Sequence, residues 1–208
     1  KIICLNVFMD QQIKNNFILV FLAIILIVIS LWHLSYSPAT WFDEGINLGI
    51  AKILVNKGVF SLEIGPDDFV AQRQFLITTN YPVLLPVAAS MKIFGFNLMA
   101  ARLPMVLFLF FFSLAAYLLV KKLYSKETAL MSLALIVSFI SFYGNGKVVL
   151  GEIPGLFYFL CGLLLLGSDF NWKRLFSAGI LFGLSAATKP FFLIILPAIF
   201  IGEFFSHR

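Results

Sequence analysis

The side chains able to do chemistry are few and sit beside apolar runs. Asp43 and Glu44 are adjacent in "SYSPATWFDEGINLGIAKIL", and Glu152 is the acid of "GKVVLGEIPG". Arg102 lies in "AARLP", Lys147 five residues before Glu152, and Lys189 in "ATKPFF". A carboxylate at the edge of a membrane can act as general base on an acceptor hydroxyl or amine, or hold a metal beside a phosphate. Arg and Lys gathered on the same side can neutralise a lipid-linked phosphate through charge-assisted hydrogen bonds. Each residue also has a plainer reading. Asp43 can cap a helix, and Glu44 can be a solvated first-turn acid. Glu152 can be an N-terminal helix charge with Pro154 near the first turn. The cations can snorkel from span ends.

The chain around these groups fixes where they lie. It is 61% hydrophobic and 12% charged, with 25 Phe. A soluble domain carries about a quarter of its residues as charges, so most of this surface faces lipid. The net charge of +5 reads as a topology signal. Basic residues do not alternate with aromatics in a soluble segment, which excludes a nucleic-acid partner. Cys4 and Cys161 have no metal spacing and lie too differently to pair. The chain starts without Met and ends at "FFSHR", which reads as the N-terminal portion of a longer protein. The first apolar run exceeds a signal-peptide core and lacks a small-x-small cleavage site, so it is taken as a retained span.

Hydropathy predicts six spans, over residues 17–35, 103–120, 128–143, 153–167, 175–187 and 191–205. Trp32, His33 and Tyr36 close the first as an interfacial belt, and Pro38 ends it. Lys14, Lys121, Lys122, Lys126, Lys173, Arg174 and Arg208 then fall on one side, the cytoplasm by the positive-inside rule. The loop 36–102, the turn 147–152 and Lys189 fall outside. Residues 82–96 are apolar but short and contain two prolines, so they are read as an interfacial helix within that outer loop.

Residues 43–57 predict a second interfacial helix, ended by Gly58. Ile46, Ile50, Ile53 and Leu54 form its apolar side, and Glu44, Asn47, Ala51 and Lys52 a less apolar one. Asp43, Glu44 and Glu152 then share headgroup depth on the outer side, where an acid is a functional candidate.

With these pieces in order, the chain resembles the lipid-dependent membrane glycosyltransferases of the GT-C fold. The likeness is to the branch of dolichyl-phosphate-mannose protein mannosyltransferases and lipid A aminoarabinose transferases. It rests on "FDEGINLGIAKILVNKG", "YPVLLPVAASMKIFGFNLMAARLP", "KKLYSKETAL", "GKVVLGEIPGLF" and "LFGLSAATKP". The resemblance implies an all-α polytopic helical bundle as a single transmembrane domain. It implies sugar transfer from a polyprenyl-phosphate donor to a protein, glycan or lipid acceptor. Asp43 matches the family's essential outer-loop carboxylate, Glu44 its neighbour and Glu152 the second acid. Arg102, Lys147 and Lys189 match cationic positions suited to the lipid phosphate. A divalent metal between Asp43 and Glu152 is a further option. The setting implied is a prokaryotic plasma membrane with the site facing out. The sequence departs from the family at "TTNYPVLLP", where Asn80 and Tyr81 replace a charged position, and at Asn47, where Tyr is common. The alternatives are a transporter or flippase-like protein, and a catalytically inactive piece of the same fold.

Overall fold

The computed structural model describes residues 2–70, 79–166, 171–194 and 197–198, with side chains from residue 13 onward. The fold is an all-α membrane fold. Its helices are α1 (Ile2–Leu31), α2 (Phe42–Lys57), α3 (Tyr81–Phe94), α4 (Leu98–Leu123), α5 (Lys126–Ser138), α6 (Ile140–Gly146), α7 (Glu152–Leu165) and α8 (Trp172–Thr188). A 3-10 turn, Pro190–Ile194, follows α8. Among the described residues, α1 (from Ile13) and α4 are long and apolar enough to cross a membrane. The pair α5–α6 makes a third if its 65° bend lies within one span. The 14 residues of α3 reach only about 21 Å at 1.5 Å per residue, against about 30 Å of hydrocarbon. Of the expected span 191–205, most residues lie outside those described.

Local chemistry sets the helix ends. α2 begins after Trp41, which makes no side-chain cap bond, so Asp43 and Glu44 both lie in its first turn. There a carboxylate faces the positive end of the helix dipole. Gly58 closes α2 at φ 70°, its N–H on the Leu54 carbonyl, a conformation that glycine adopts without a Cβ penalty. Asn97 caps α4 by accepting from the Ala100 N–H. Inside α4, Pro104 has no N–H to give the Ala100 carbonyl; Ser90 of α3 donates to that carbonyl instead, at 2.6 Å. A missing backbone bond thereby becomes the link between α3 and α4. At the α5–α6 bend, the Ser138 hydroxyl donates to the Leu135 carbonyl, an alternative to the helical ladder.

One core joins α2, α3 and α4 through Ile50, Ala51, Val83, Leu84, Val87, Ala101 and Met105, with Val149 inserted from the α6–α7 loop. A second joins α1, α4 and α5 through Leu26, Tyr117, Ala129, Leu130 and Leu133. The loop 36–102 also holds a two-stranded antiparallel ribbon, β1 (Glu63–Gly65) and β2 (Asp68–Phe69), beyond the helices expected there. Asp67 turns it at φ 57°. Lys57, at the end of α2, bonds Glu63 and Asp67 at 2.7 Å each. Its hydrogen bonds hold both carboxyls below their ordinary range. Exposed pairs of this kind contribute little stability and here fix the ribbon's position.

The polar ties separate to two ends of the bundle. At one end Lys126 bonds Asn16 at 3.0 Å, and Lys122 bonds the Leu164 and Leu166 carbonyls at 2.9 and 2.6 Å. Asp43, Glu44, Arg102, Lys147, Glu152 and Lys189 lie at the other end, carried by the start of α2, the start of α4, the α6–α7 loop, the start of α7 and the residue after α8.

Small residues of α7 and α8, with the Phe182 ring seated over Gly162, let the two helices approach closely. Ser185 donates to the Gly155 carbonyl at 2.8 Å. A Cβ on Gly155 would collide with the Phe192 ring and lie 2.5 Å from the Thr188 hydroxyl, and one on Gly162 would lie 2.6 Å from Phe182. Gly155→Ala is therefore expected to destabilise the protein by about 1–3 kcal/mol, the usual range for overpacking. Thermal unfolding in detergent measures it, and an unchanged midpoint would contradict the close packing of α7 on α8.

Candidate functional site

The first turn of α2 builds the centre of this end. Glu44 is fully buried. Arg102, equally buried at the start of α4, grips it with two bonds, Nη2 to Oε2 at 2.6 Å and Nε to Oε1 at 2.8 Å. The Val149 N–H adds a third, to Oε1 at 3.1 Å. Three residues along α2, Asn47 Nδ2 donates to the Val149 carbonyl at 2.7 Å and to the Thr79 hydroxyl at 3.2 Å. Side chains at i and i+3 share a helix face, so α2 holds both the N–H and the C=O of one residue in the α6–α7 loop.

The remaining donors of Arg102 go to the end of α1. Nη1 reaches the Leu34 carbonyl at 3.0 Å and Nη2 the Pro38 carbonyl at 2.9 Å. Lys147, also buried, reaches the Trp32 carbonyl at 2.9 Å. Burial, with the Arg102 charge nearby, lowers the Lys147 ammonium from its ordinary value. These carbonyls lie past the last residue of α1, in its connection to α2, and so are not taken by the helical ladder of α1.

The second half of the site lies at the start of α7. Glu152 forms an ion pair with Lys189, which follows α8 in extended backbone. Glu152 Oε2 is buried and has no hydrogen-bond partner among the described residues. The Lys189 ammonium also lies 6.0 Å from the Phe191 ring centre. Lys189 is placed by its neighbour: the Thr188 carbonyl accepts from the Asn80 N–H at 3.2 Å, and the Thr188 hydroxyl donates to the Ser185 carbonyl at 2.6 Å. Glu152 lines a cavity of about 600 Å³, together with Trp41, Ser141, Phe142, Asn145 and other residues. An aromatic ring, an amide, a hydroxyl and a carboxylate facing one cavity can recognise a polar, hydroxylated ligand.

The expected residues therefore divide. Glu44 joins Arg102, and Glu152 joins Lys189. Asp43 joins neither pair. It is partly exposed, has no hydrogen bond or ion pair among the described residues, and does not line the cavity, although Trp41, two residues earlier, does. The side of α2 expected to be less apolar is corrected by the structure. Glu44, Asn47, Ile50 and Ala51 form its buried face, because their polar partners arrive from α4 and the α6–α7 loop. Glu44 is thus not a solvated acid. Asn47, Thr79 and the Val149 peptide were not anticipated as part of the site; the three-residue spacing of Glu44 and Asn47 was the available signal. For a metal, the donors do not suffice. Among the described residues no three His, Cys, Asp or Glu side chains gather, and the two carboxylates proposed for it share no contact, one of them being neutralised by Lys189.

In comparison with known proteins, residues 83–207, more than half of the chain, match the family model described as dolichyl-phosphate-mannose-protein mannosyltransferase. Arg102, Lys147, Glu152 and Lys189 lie within the match, and Asp43 and Glu44 precede it. No curated protein and no solved structure matches the chain.

Removing one partner of a buried, hydrogen-bonded pair leaves the other charge stranded, at a cost of about 3–5 kcal/mol. Glu44→Gln and Arg102→Met are each expected to destabilise by that order. Asn47→Ala, which leaves the neutral Val149 carbonyl unpaired, is expected to cost about 1–3 kcal/mol. Chemical unfolding of the purified variants ranks them, and Asn47→Ala proving the most damaging would contradict the assignment.

Proposed function

Because the chain belongs to the dolichyl-phosphate-mannose-protein mannosyltransferase family, we propose that this membrane glycosyltransferase fold moves a sugar from a polyprenyl-phosphate donor to an acceptor on the outer face of the membrane. The observation that carries this reading is Glu152. It faces the cavity with one oxygen unpartnered, beside Lys189, and both residues lie within the family match. The outward placement is supported by the segregation of polar ties. The Lys-rich α4–α5 turn lies at the end opposite the site, and Lys-rich short loops stay in the cytoplasm.

In this reading the cavity takes the sugar and its phosphate. Lys189 offsets charge on the phosphate as the bond to the anomeric carbon breaks, the kind of transition-state charge that a fixed cation stabilises. The acceptor oxygen or nitrogen forms the new bond to that carbon from the opposite side, inverting it. Its proton passes to a carboxylate, and the electron pair of the broken bond leaves on the phosphate. Of the two acids in α2, Asp43 suits the proton. Glu44 has both oxygens engaged and no exposure, whereas Asp43 is partly exposed and unpaired among the described residues. Glu44, Arg102 and Lys147 are then positioning residues rather than groups that touch the substrate.

The test uses the full-length gene in membranes with labelled polyprenyl-phosphate sugars. Removing a general base costs about 10²–10⁴ in rate. Asp43→Asn is expected to lose transfer by that factor while its unfolding midpoint stays at the wild-type value. Glu44→Gln is expected to lose stability first. An Asp43→Asn protein that transfers at the wild-type rate would remove Asp43 from the chemistry.

A further inference from the structure

The cavity wall carries polar groups that the proposed chemistry does not use. Ser141 and Asn145 are four residues apart on α6, so they share one face of it, and both line the cavity of about 600 Å³. Both are exposed, and neither side chain makes a hydrogen bond among the described residues. Trp41 lines the same cavity from the α1–α2 connection. It is 57% exposed, and its indole N–H is likewise unpaired among the described residues.

Both carriers are held in place. Arg102 bonds the Pro38 carbonyl, three residues before Trp41, at 2.9 Å, and the Trp41 carbonyl accepts from the Gly45 N–H at 3.0 Å. α6 packs through Gly146, where a Cβ would lie 2.6 Å from Leu109. Lys147, the residue after α6, bonds the Trp32 carbonyl at 2.9 Å, so the end of α6 and the α1–α2 connection are fastened to each other. The chemistry of this wall is specific. An indole face is electron-rich and takes the polarised C–H face of a sugar ring. An amide and a hydroxyl each donate and accept, so each can meet ring hydroxyls. Among the described residues lining the cavity there is no Lys or Arg, and Glu152 is the one charged group. An anionic ring would leave its charge unpaired there. Trp32, Tyr36 and Phe42 are at least as exposed as Trp41 and suit a membrane interface, but they do not line the cavity.

We propose that Trp41, Ser141 and Asn145 are specificity-determining residues that read one uncharged sugar ring. The ring stacks on Trp41, and its hydroxyls bond Asn145 and Ser141. This rests on the reading of the protein as a sugar transferase. It goes further in giving recognition of the ring to residues apart from the acids and cations around the reaction. Trp41, the stacking platform, precedes the family match. The ring is that of the donor or of a saccharide acceptor, which present the same chemistry to this wall.

The test uses the full-length protein in nanodiscs. Initial rates are measured with a polyprenyl-phosphate hexose as donor and with water or a free disaccharide as acceptor, and monodeoxy and hexuronic forms of each sugar are compared. In the ring that is read, the wild type is expected to favour the hexose over the hexuronic acid by at least about tenfold. Trp41→Ala and Asn145→Ala are each expected to raise KM by about three- to tenfold, with the unfolding midpoint at the wild-type value and Trp41→Phe retaining most of the affinity. The monodeoxy sugar that lacks the hydroxyl bound by Asn145 is expected to be used equally by wild type and Asn145→Ala, because that bond is already gone. A loss seen with water as acceptor assigns the ring to the donor; a loss confined to the disaccharide assigns it to the acceptor. Phe42→Leu is expected to match wild type, and a loss there equal to that of Trp41→Ala would reduce Trp41 to membrane seating and overturn the proposal. Wild-type KM and unchanged deoxy discrimination in both Trp41→Ala and Asn145→Ala would overturn it as well, while the transferase reading would stand on wild-type activity. A wild type that transfers no sugar would overturn that reading, and the wall is then judged by binding of methyl hexosides: weakening by Asn145→Ala supports it, and no binding overturns it.

Discussion

A carboxylate without access to water must be surrounded by donors, and that requirement at Glu44 organises the whole end of the molecule. Bringing an acid to full burial is costly unless a cation and further hydrogen bonds replace its hydration. Arg102 supplies the cation from the start of α4, and the Val149 N–H supplies the third donor from the α6–α7 loop. The planar fork of arginine suits this position because its five donors can serve several acceptors at once. Here they join Glu44 to the carbonyls of Leu34 and Pro38. One ion pair therefore ties the end of α1, the start of α2, the start of α4 and the loop before α7.

Such a pair is weak evidence for added stability, since an apolar replacement of the same volume can do as well. Its value here is geometric. Asn47 repeats the grip on Val149 from the next turn of α2, and the loop that leads to Glu152 is thereby fixed relative to α2. From the other side, Gly155, Ser185, Thr188 and Asn80 fix the segment that carries Lys189. Two networks therefore position the Glu152–Lys189 pair, and Asp43 is left without a side-chain partner among the described residues. Two adjacent acids, an Asp and a Glu, are divided by one helical step into a residue with side-chain partners and one without any among the described residues.

The sequence carried much of the fold. The long apolar runs of α1 and α4, the end of α2 at Gly58 and the helical nature of residues 82–94 follow from hydropathy, caps and length alone. Local pattern failed wherever the deciding partner was distant. The polar side of α2 reads as solvent-facing because amphipathicity assumes water on the polar side. Its partners Arg102 and Val149 lie 58 and 105 residues from Glu44 in sequence, beyond any window of periodicity. The backbone carbonyls that Arg102 and Lys147 bond are equally invisible to sequence, because a carbonyl acceptor leaves no side-chain pattern. The ribbon at 63–69 was missed although "EIGPDD" contains turn residues, because strands this short carry no alternation to detect.

The boundary of the family match sharpens the point. The match begins at residue 83, so α2 lies outside it. Yet the buried charge of α2 is paired with Arg102 and hydrogen-bonded to Val149, both inside the match. A substitution at Arg102 strands Glu44, and a substitution at Glu44 strands Arg102, so their effects are coupled rather than additive. Physical continuity thus extends the site across a boundary at which sequence likeness stops.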